Sequence, residues 1–391
     1  MIWLGALLVG ALLGLLGIAW LNALMNFIAT VYTRLFQLLA VPTIVLAVIT
    51  TFATFGSKGQ GRVFAHTLTY TLLTTFAAAA VGAVLYVAVA PGNLPAEALG
   101  AAEVKDMGGQ LSYVDHIVSV IPNNIVQPFL EGNVLSLLLL AFAIGIGLSR
   151  LGDSENKTVV VRLLLGFQEL LFLLIRGLIA TLPLGIVAFS AQLSAQLSAG
   201  VVADSIGKYV VVVLGGNVVQ FFVVLPLFLV ARGLNPIHVL GRMMPAVLMA
   251  LFTKSSAATL PVTMDSAEQR LGIDKKISRF VLPICTTINM NGCAAFILVT
   301  SLFVMQQGGT AITLPLVATW IVISVVSAVG NAGVPMGCYF LTLSLMSGVG
   351  APVAVLGIIL PIYTIIDMVE TAENVWSDSC VAAMTNHDLA S

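Results

Sequence analysis

The chain has 391 residues, of which 59% are hydrophobic and only 8% are charged. An ordinary soluble domain carries about 25% charged residues, and a mean hydropathy of +1.07 leaves too little polar surface to cover soluble domains of this length. The composition therefore excludes a soluble enzyme, a nucleic-acid-binding protein and a disordered scaffold. It indicates a protein that crosses a membrane several times. The net charge of −1 says nothing about partners, because in lipid the placement of charges matters more than their sum.

Several stretches are long and apolar enough to cross a bilayer, which takes about 20 helical residues. They lie near 3–25, 26–55, 63–90, 118–149, 159–189, 208–231, 280–305 and 354–385. These runs are continuously apolar and do not alternate as barrel strands do, so they predict an all-α membrane protein. The first run begins at Met1 without a basic segment or a clear cleavage site, and we expect it to be retained as a span.

Basic residues predict the orientation of these helices, since cytoplasmic loops are enriched in lysine and arginine. Lys58 and Arg62 mark one loop as cytoplasmic, whereas the acidic loop at about 91–115 is expected outside. Arg232 and Arg242 bring the chain inside again. We expect a multi-pass protein of the cell inner (plasma) membrane with both termini in the cytoplasm.

Two segments interrupt this alternation. The apolar run from Met243 to Met264 has basic residues on both sides, so we expect a re-entrant segment in which two short helices meet at the polar residues 254–259. Polar backbone at membrane depth is tolerated only where it is buried in protein or lines a cavity. A second segment near 312–353 contains Gly and Pro at 330–335, which break a helix. Two broken hairpins favour a secondary transporter, although Gly and Pro are common in membrane helices generally.

The last apolar stretch carries acids without basic partners. After Arg279 the sequence contains no lysine or arginine, whereas one predicted helix contains Asp367, Glu370, Glu373 and Asp378. Acids inside a membrane usually face a cavity and mark an ion or substrate path. Because oxygen ligands suit hard cations, a bound cation is one source of the missing positive charge.

One face of this helix gathers the polar groups. At about 100° per residue, Asp367, Thr371, Asn374 and Asp378 share a face that has Glu370 at its edge. Two alternatives to a bound cation remain. Basic residues of other segments, such as Lys254 beside Asp367, would neutralise the acids, or the carboxyl groups would be protonated because burial disfavours their charge.

The cysteines lie within apolar stretches of the last third of the sequence. They are Cys285, Cys293, Cys338 and Cys380. Cysteines that frame a secreted fold lie in loops, so we expect thiols that pack or line a site and no disulfides. The sequence shows no metal-ligand cluster and no nucleophile elbow. Gly10 and Gly14 have the spacing of a helix-packing motif.

Four motifs in this order and spacing resemble those of the dicarboxylate/amino acid:cation symporter family, the glutamate transporter homologues. They are residues 252–264, 287–292, 331–335 and 367–378. The resemblance covers nearly the whole chain, although the first half matches mainly in hydropathy pattern. It implies eight transmembrane helices plus two re-entrant helical hairpins, a homotrimer, and sodium-coupled uptake by an elevator mechanism.

The resemblance also implies two parts in each chain. The scaffold and trimerisation part would comprise 1–60 and 108–200, and the transport part 61–107 and 201–391. Within the transport part, hairpin one lies at about 239–265 and hairpin two at about 312–353.

Positions that match the family motifs imply a substrate site. Ser256 and the hairpin backbone at Gly333 and Val334 would hold the substrate α-carboxylate, and Asp367 its α-amino group with help from Asn374. The implied substrate-binding residues are Ser255, Ser256, Cys293, Gly333, Val334, Asp367, Glu370, Thr371 and Asn374.

The same positions imply sodium sites. One ion would use Asn289, Asn374, Asp378 and the carbonyl of Cys285. A second would use carbonyls at Thr287, Met290, Ala328, Val329 and Asn331. At a third site the acid of the family motif is replaced by Asn291, with Thr74 and Thr75 still available, so one or two ions are favoured over three.

Glu370 decides the expected substrate. The acidic-substrate members of the family carry an arginine there, and a glutamate would repel an aspartate side chain. A glutamate at this position is similar to the serine/threonine branch, as is the Ser-Ser-Ala-Ala tip at 255–258. We expect a small neutral amino acid whose hydroxyl bonds to Glu370. Cationic amino acids are the second choice, followed by other neutral substrates such as cystine, and then by a dicarboxylate or acidic amino acid. Glu373 has no assigned role.

Two other classes of protein are alternatives. An ion channel would place identical groups around a shared axis, whereas the polar groups here cluster within one half of the chain. A membrane-embedded enzyme would need a nucleophile and a base, which the sequence does not supply, so we expect no enzymatic activity.

Overall fold

The computed structural model describes residues 2–54, 61–94, 121–131, 134–152, 154–197, 201–329, 331 and 336–390. These residues form helices and irregular connections without β-strands. Six helical stretches among them are long and apolar enough to cross a membrane. The prediction of an all-α membrane protein is therefore confirmed. Most of the acidic loop predicted at 91–115 lies outside the described residues.

The first half of the described chain contains six helices. They are α1 (Ile2–Leu15), α2 (Ala19–Thr54), α3 (Gly61–Val89), α4 (Gln127–Glu131), α5 (Val134–Arg150) and α6 (Glu155–Leu197). The predicted boundary near residue 25 is wrong, because the break falls at 16–18, where Gly17 has a φ of +64°. Glycine adopts this left-handed conformation without steric cost, and an apolar run gives no other sign of the turn. Within the predicted run at 118–149, residues 121–126 are not helical, and the described helices of this run are α4 and α5.

Helix α1 packs along α6. A Cβ atom on Gly10 would collide with the carbonyl oxygen of Val187, and one on Gly14 with that of Ala191. The absence of side chains thus permits close approach of the two backbones, and the interpretation of this pair as a packing motif is confirmed.

The second half contains nine further helices among its described residues. They are α7 (Val201–Val219), α8 (Leu225–Ala231), α9 (Pro236–Thr253), α10 (Ser256–Asp265), α11 (Lys275–Ile288), α12 (Asn291–Gln307), α13 (Leu314–Val329), α14 (Gly337–Gly348) and α15 (Ala354–Ala390). π-Helical turns at Gln220–Val224 and Ser266–Leu271 follow α7 and α10.

Three interruptions between consecutive helices distinguish this half. Helices α9 and α10 pack together and are separated at Lys254, whose φ is +54°, as predicted for two helices that meet at a polar tip. Helices α13 and α14 both pack against α12, and Met336 precedes α14 with a φ of +66°. A non-glycine residue in this left-handed region costs about 1–3 kcal/mol, and such residues cluster at functional sites.

The third break lies inside the predicted stretch 280–305. Helix α11 ends at Ile288 and α12 begins at Asn291, with Asn289 and Met290 unwound between them. All residues of α12 except Gln306 are buried, and α12 packs against α3, α7, α13, α14 and α15. The unwound residues are therefore held at the centre of the helix packing.

Candidate functional site

A buried cavity lies where the three interruptions between helices meet α15. Its lining residues are Lys254, Ser256, Met290, Cys293, Asn331, Cys338, Asp367, Glu370, Thr371 and Asn374. Six of the predicted substrate residues are among them, on α10, α12 and α15. Ser255 does not line the cavity, and Gly333 and Val334 lie outside the described residues.

Two carboxyl groups share this cavity. The hydroxyl of Tyr363 donates a hydrogen bond to Glu370 Oε2 at 3.1 Å and lies 3.4 Å from Asp367 Oδ1. The backbone N–H of Met336 donates to Asp367 Oδ2 at 3.2 Å. Glu370 Oε1 is buried and has no hydrogen-bond partner among the described residues. An unpaired buried acceptor is costly, so this oxygen is suited to accept a hydrogen bond from a bound ligand.

Lys254 is the only basic residue among the described residues that line the cavity. Its ammonium group is attracted by the charge of Asp367, a pairing that the sequence suggests. One lysine cannot balance two ionised carboxyl groups. A ligand with an ammonium group would supply the further positive charge at Asp367 or Glu370.

The tip between α9 and α10 gives its two serines different roles. Ser255 Oγ accepts a hydrogen bond from the N–H of Ala258 at 3.2 Å, which caps the start of α10. Ser256 is the first residue of α10 and lines the cavity. Backbone N–H groups at a helix N-terminus favour anions, so this end of the cavity suits a carboxylate.

The other side chains of the α15 face are held by the protein. Thr371 Oγ1 donates to the carbonyl oxygen of Asp367 at 2.7 Å. Asn374 Oδ1 accepts from the N–H of Gly292 at 3.0 Å. A Cβ atom on Gly292 would come within 2.9 Å of the Cα atom of Glu370, so glycine is needed for α12 to approach α15 at this point.

A second polar cluster lies around Asp378. Asn289 Nδ2 donates to Asp378 Oδ1 and to Ser377 Oγ, both at 2.9 Å. Asp378 Oδ2 is buried and has no hydrogen-bond partner within the described part of the chain. A buried carboxylate oxygen beside amide and hydroxyl groups matches the oxygen ligands that a hard cation prefers. These residues therefore fit a sodium ion as cargo.

Asn291 connects this cluster to α3. Its Oδ1 accepts hydrogen bonds from Thr75 Oγ1 at 2.9 Å and Thr74 Oγ1 at 3.4 Å, and its Nδ2 donates to Ser377 Oγ at 2.8 Å. The structure thus brings together all the residues predicted for a third sodium site. A neutral amide occupies its centre, so Asn291 adds no negative charge that would favour another cation.

The residues implied in a second sodium site lie at the ends of α11 and α13. Ile284 and Ile288 pack against Val329, which brings Thr287 towards the end of α13. The carbonyl of Ala328 accepts a bond from the N–H of Asn331 at 3.0 Å. The carbonyl of Met290 likewise accepts a bond from Ala294, and the carbonyl of Cys285, implied in the first site, accepts one from Asn289. Each carbonyl has a second lone pair for a cation.

The buried acids do not form ion pairs with arginine in the described part of the chain. The arginine ion pairs there join Arg279 to Glu268 and Arg232 to Asp388. The alternative that arginines of other helices neutralise the acids of α15 thus finds no support among the described residues.

The prediction that the cysteines form no disulfide is wrong for two of them. The structure joins Cys293 on α12 to Cys338 on α14, with Cα atoms 5.4 Å apart, which is within the range of disulfides. Packing of α14 against α12 brings them together across 45 residues, a contact that spacing does not reveal. Cys285 and Cys380 are free and buried, as predicted.

Three residues of the site were missed. Tyr363 lies four residues before Asp367 and seven before Glu370, a spacing that places all three on one helix face, so a signal was present. Ser377 is adjacent to Asp378, whereas Cys338 was expected only as one of four thiols that pack or line a site. Glu373 is buried with neither carboxylate oxygen bonded among the described residues, and it does not line the cavity.

Broken helices around a central cavity, with carboxyl groups buried beside them, define a secondary membrane transporter. Residues 2–388 match the profile of the Sodium:dicarboxylate symporter family, and the chain belongs to this family. The family consists of transporters and not enzymes, as predicted, and membership implies coupling to sodium.

Relatives with similar sequences are amino acid transporters. The chain is 30% identical to the Neutral amino acid transporter B(0) of Oryctolagus cuniculus, an alignment that covers 90% of this chain and 72% of the relative. It is 28% identical to Excitatory amino acid transporter 2 of Homo sapiens, over 93% and 73% of the two chains. It is 27% identical to Neutral amino acid transporter A of Bos taurus, over 90% and 74%.

Proposed function

We propose that this protein is a sodium-coupled symporter that imports a small neutral amino acid with a hydroxyl group, of the serine or threonine type. The observation that carries the proposal is the unpaired Oε1 atom of Glu370 in the cavity beside Asp367. A hydroxyl on the substrate side chain donates to this oxygen. Two relatives are named as neutral amino acid transporters, which supports the same substrate class.

Each end of the amino acid has a matching group. Asp367 binds the α-amino group, and Asn374 and Thr371 complete that side of the site. Ser256 and the N-terminus of α10 bind the α-carboxylate together with the backbone at Gly333 and Val334. Cys293 borders the side chain of the substrate. An acidic side chain would meet Glu370 in a low-dielectric site, where like charges repel strongly.

The sodium ions occupy oxygen-rich positions next to this site. Asp378, with Asn289, Asn374 and the carbonyl of Cys285, binds one ion. A second position uses the carbonyls at Thr287, Met290, Ala328, Val329 and Asn331. The neutral Asn291 beside Thr74 and Thr75 favours one or two ions over three.

The architecture follows the family pattern in this proposal. Eight transmembrane helices and two re-entrant hairpins, at about 239–265 and 312–353, make up each subunit of a homotrimer. Residues 1–60 and 108–200 form the scaffold, and 61–107 and 201–391 move as an elevator. The protein lies in the cell inner (plasma) membrane with both termini in the cytoplasm.

Uptake of labelled serine into proteoliposomes tests the coupling. We expect uptake with an inward sodium gradient and little without it. Leakage of ions or serine that ignores the gradient would favour a channel, and a failure to take up serine, threonine or lysine would contradict amino acid symport. Stronger competition by lysine than by threonine would favour cationic amino acids, which Glu370 would also accept.

Glu370→Arg tests selectivity. The arginine removes the acceptor and reverses the charge, so we expect serine uptake to fall by at least about tenfold, or 1.4 kcal/mol, while aspartate becomes a better competitor. Glu370→Gln is the matched control, because it keeps an acceptor without the charge and should lose less serine uptake. Unchanged competition by serine and aspartate in Glu370→Arg would place the side chain of the substrate elsewhere.

Asp378→Asn tests the sodium site. Removal of the charge should raise the sodium concentration for half-maximal serine uptake by about tenfold or more, because a charged oxygen ligand of a buried cation is lost. Ser379→Ala is a suitable control, since the hydrogen bond that Ser379 Oγ makes among the described residues goes to the carbonyl of Val375. An unaltered sodium curve in Asp378→Asn would locate the ion at another site.

A further inference from the structure

We propose that Cys293, Cys338 and Glu370 form a binding site for a thiophilic divalent cation of the Zn²⁺ class when the two cysteines are reduced. One ligand atom from each of the three residues lies within 4.8 Å of the others, and all three residues are buried. They belong to α12, α14 and α15, so only the folded chain brings them together. This site is separate in chemistry from the oxygen-rich positions proposed for sodium.

The backbone spacing suits a shared metal ion. The Cα atoms of Cys293 and Cys338 are 5.4 Å apart. Zinc–sulfur bonds of about 2.3 Å in tetrahedral geometry place two sulfur atoms roughly 3.8 Å apart. Reduced side chains on these two Cα atoms reach that separation by rotation about the Cα–Cβ bonds.

Glu370 supplies the third ligand. Its Oε1 atom is buried without a hydrogen-bond partner among the described residues, which is an independent sign of a missing ligand. Asn331 is in position for the fourth, since its Nδ2 lies 3.1 Å from Cys293 Sγ and 3.2 Å from Cys338 Sγ. A half-turn of the amide presents Oδ1 to the metal in place of Nδ2.

The ligand set selects the type of cation. Thiolates are soft ligands that favour Zn²⁺ and similar ions over hard cations such as Na⁺. Binding replaces the two thiol protons by one divalent ion, and the protons pass to solvent. The disulfide form has no thiolate to offer, so reduction of the pair is required first.

A metal at this site would restrict the movement of α14 relative to α12 and α15, and it would also block the binding of substrate. It would join α14 to α12 and α15 across the cavity, and it would use the same Glu370 oxygen that we assign to the substrate hydroxyl. Serine and metal should therefore compete. This last expectation rests on the proposed function, whereas metal binding itself does not.

Cd²⁺ binding to the purified full-length protein tests the site. The protein is reduced with a phosphine that carries no thiol and is titrated with Cd²⁺, while the ultraviolet charge-transfer absorption of cadmium–sulfur bonds is recorded. We expect one Cd²⁺ per chain and a loss of affinity of more than about tenfold in Cys338→Ser, since even the loss of an outer-sphere partner costs about 10–100-fold. Cys380→Ser is the matched control, because Cys380 is a buried free cysteine away from the cavity.

A second measurement uses the wild-type chain and therefore does not depend on whether Cys338→Ser folds. Mass spectrometry should show that Cd²⁺ slows alkylation of Cys293 and Cys338 in the wild-type chain and leaves Cys285 unaffected. Equal Cd²⁺ affinity in wild type and Cys338→Ser, or no cadmium–sulfur absorption in the reduced wild type, would overturn the proposal. Cd²⁺ binding that serine does not displace would support the metal site and count against the substrate position. Normal serine uptake without Cd²⁺ binding would overturn the metal site alone.

Discussion

Tyr363 connects the two carboxyl groups of the cavity. Its hydroxyl group donates its single proton to Glu370 Oε2, with an O–O distance of 3.1 Å, and the same hydroxyl oxygen lies 3.4 Å from Asp367 Oδ1. The ring is buried against Phe296 and Tyr339, with ring centroids 4.6 Å and 5.4 Å from its own. The aromatic packing holds the direction of the hydroxyl group, and the hydroxyl group in turn holds the positions of the two carboxyl groups.

Removal of this hydroxyl should weaken substrate binding more than it weakens folding. We expect Tyr363→Phe to raise the KM for serine by about tenfold, because a hydrogen bond to a charged group contributes about 1.5–3 kcal/mol. Tyr339→Phe is the control, since the Tyr339 hydroxyl donates to the backbone carbonyl of Leu356 at 2.9 Å. Equal changes in KM for the two variants would contradict this role of Tyr363.

At the scale of elements, the π-helical turn after α10 is bound to the start of α11 by Glu268. Its Oε1 accepts hydrogen bonds from Ser278 Oγ at 2.7 Å and Arg279 Nε at 3.0 Å. These bonds, chiefly the one from Arg279, lower the pKa of Glu268. Because the charged carboxylate is favoured in the folded protein, the contact stabilises the fold at neutral pH.

The sign of this effect gives a pH prediction. The stabilisation is complete above the unfolded-state pKa of about 4.3 and is lost as the pH falls through the lower folded-state value. We expect a higher Tm for the wild type than for Glu268→Gln at neutral pH, with a difference that shrinks as the pH falls below about 4. In an Arg279→Gln background the same substitution should have a smaller effect. A difference in Tm that is constant with pH would exclude this account.

At the scale of the whole molecule, Asn291 bears on how many sodium ions move with each substrate. The position lies among Thr74, Thr75 and Ser377, so a carboxylate there would be surrounded by hydroxyl oxygens. We expect Asn291→Asp to steepen the sodium dependence of serine uptake and to raise its Hill coefficient by up to about one. Addition of Thr75→Val should reverse the gain. A sodium curve of unchanged steepness would show that the charge of this residue does not set the ion count.

The sequence predicted the class of fold and much of the site for identifiable physical reasons. The acids of α15 lie in one helix, so helical spacing alone placed Asp367, Thr371 and Asn374 on one face, and all three line the cavity. The polar break at Lys254 stood out against an apolar run. By contrast, the turn at Gly17 lies in an apolar run that gives no sign of it, whereas the unwinding at Asn289 falls in the polar stretch 286–292, a signal that was missed.

Contacts between distant segments could not be predicted from spacing. Cys293 meets Cys338 only because α14 packs against α12. Ser255 and Ser256 are adjacent residues of the same type. Local geometry nevertheless makes the hydroxyl of Ser255 a helix cap, because it accepts a hydrogen bond from the N–H of Ala258. In both cases the direction of a side chain, which a pattern of residues does not record, decides its role.

The burial of four carboxyl groups in α15 also bears on biogenesis. Each acid near the middle of a lone helix disfavours insertion into the bilayer by about 2.5–3.5 kcal/mol. Asp367, Glu370, Glu373 and Asp378 are shielded instead by α12 and other helices that the ribosome makes before α15. We therefore expect α15 to leave the translocon only when its neighbours are already assembled to receive it.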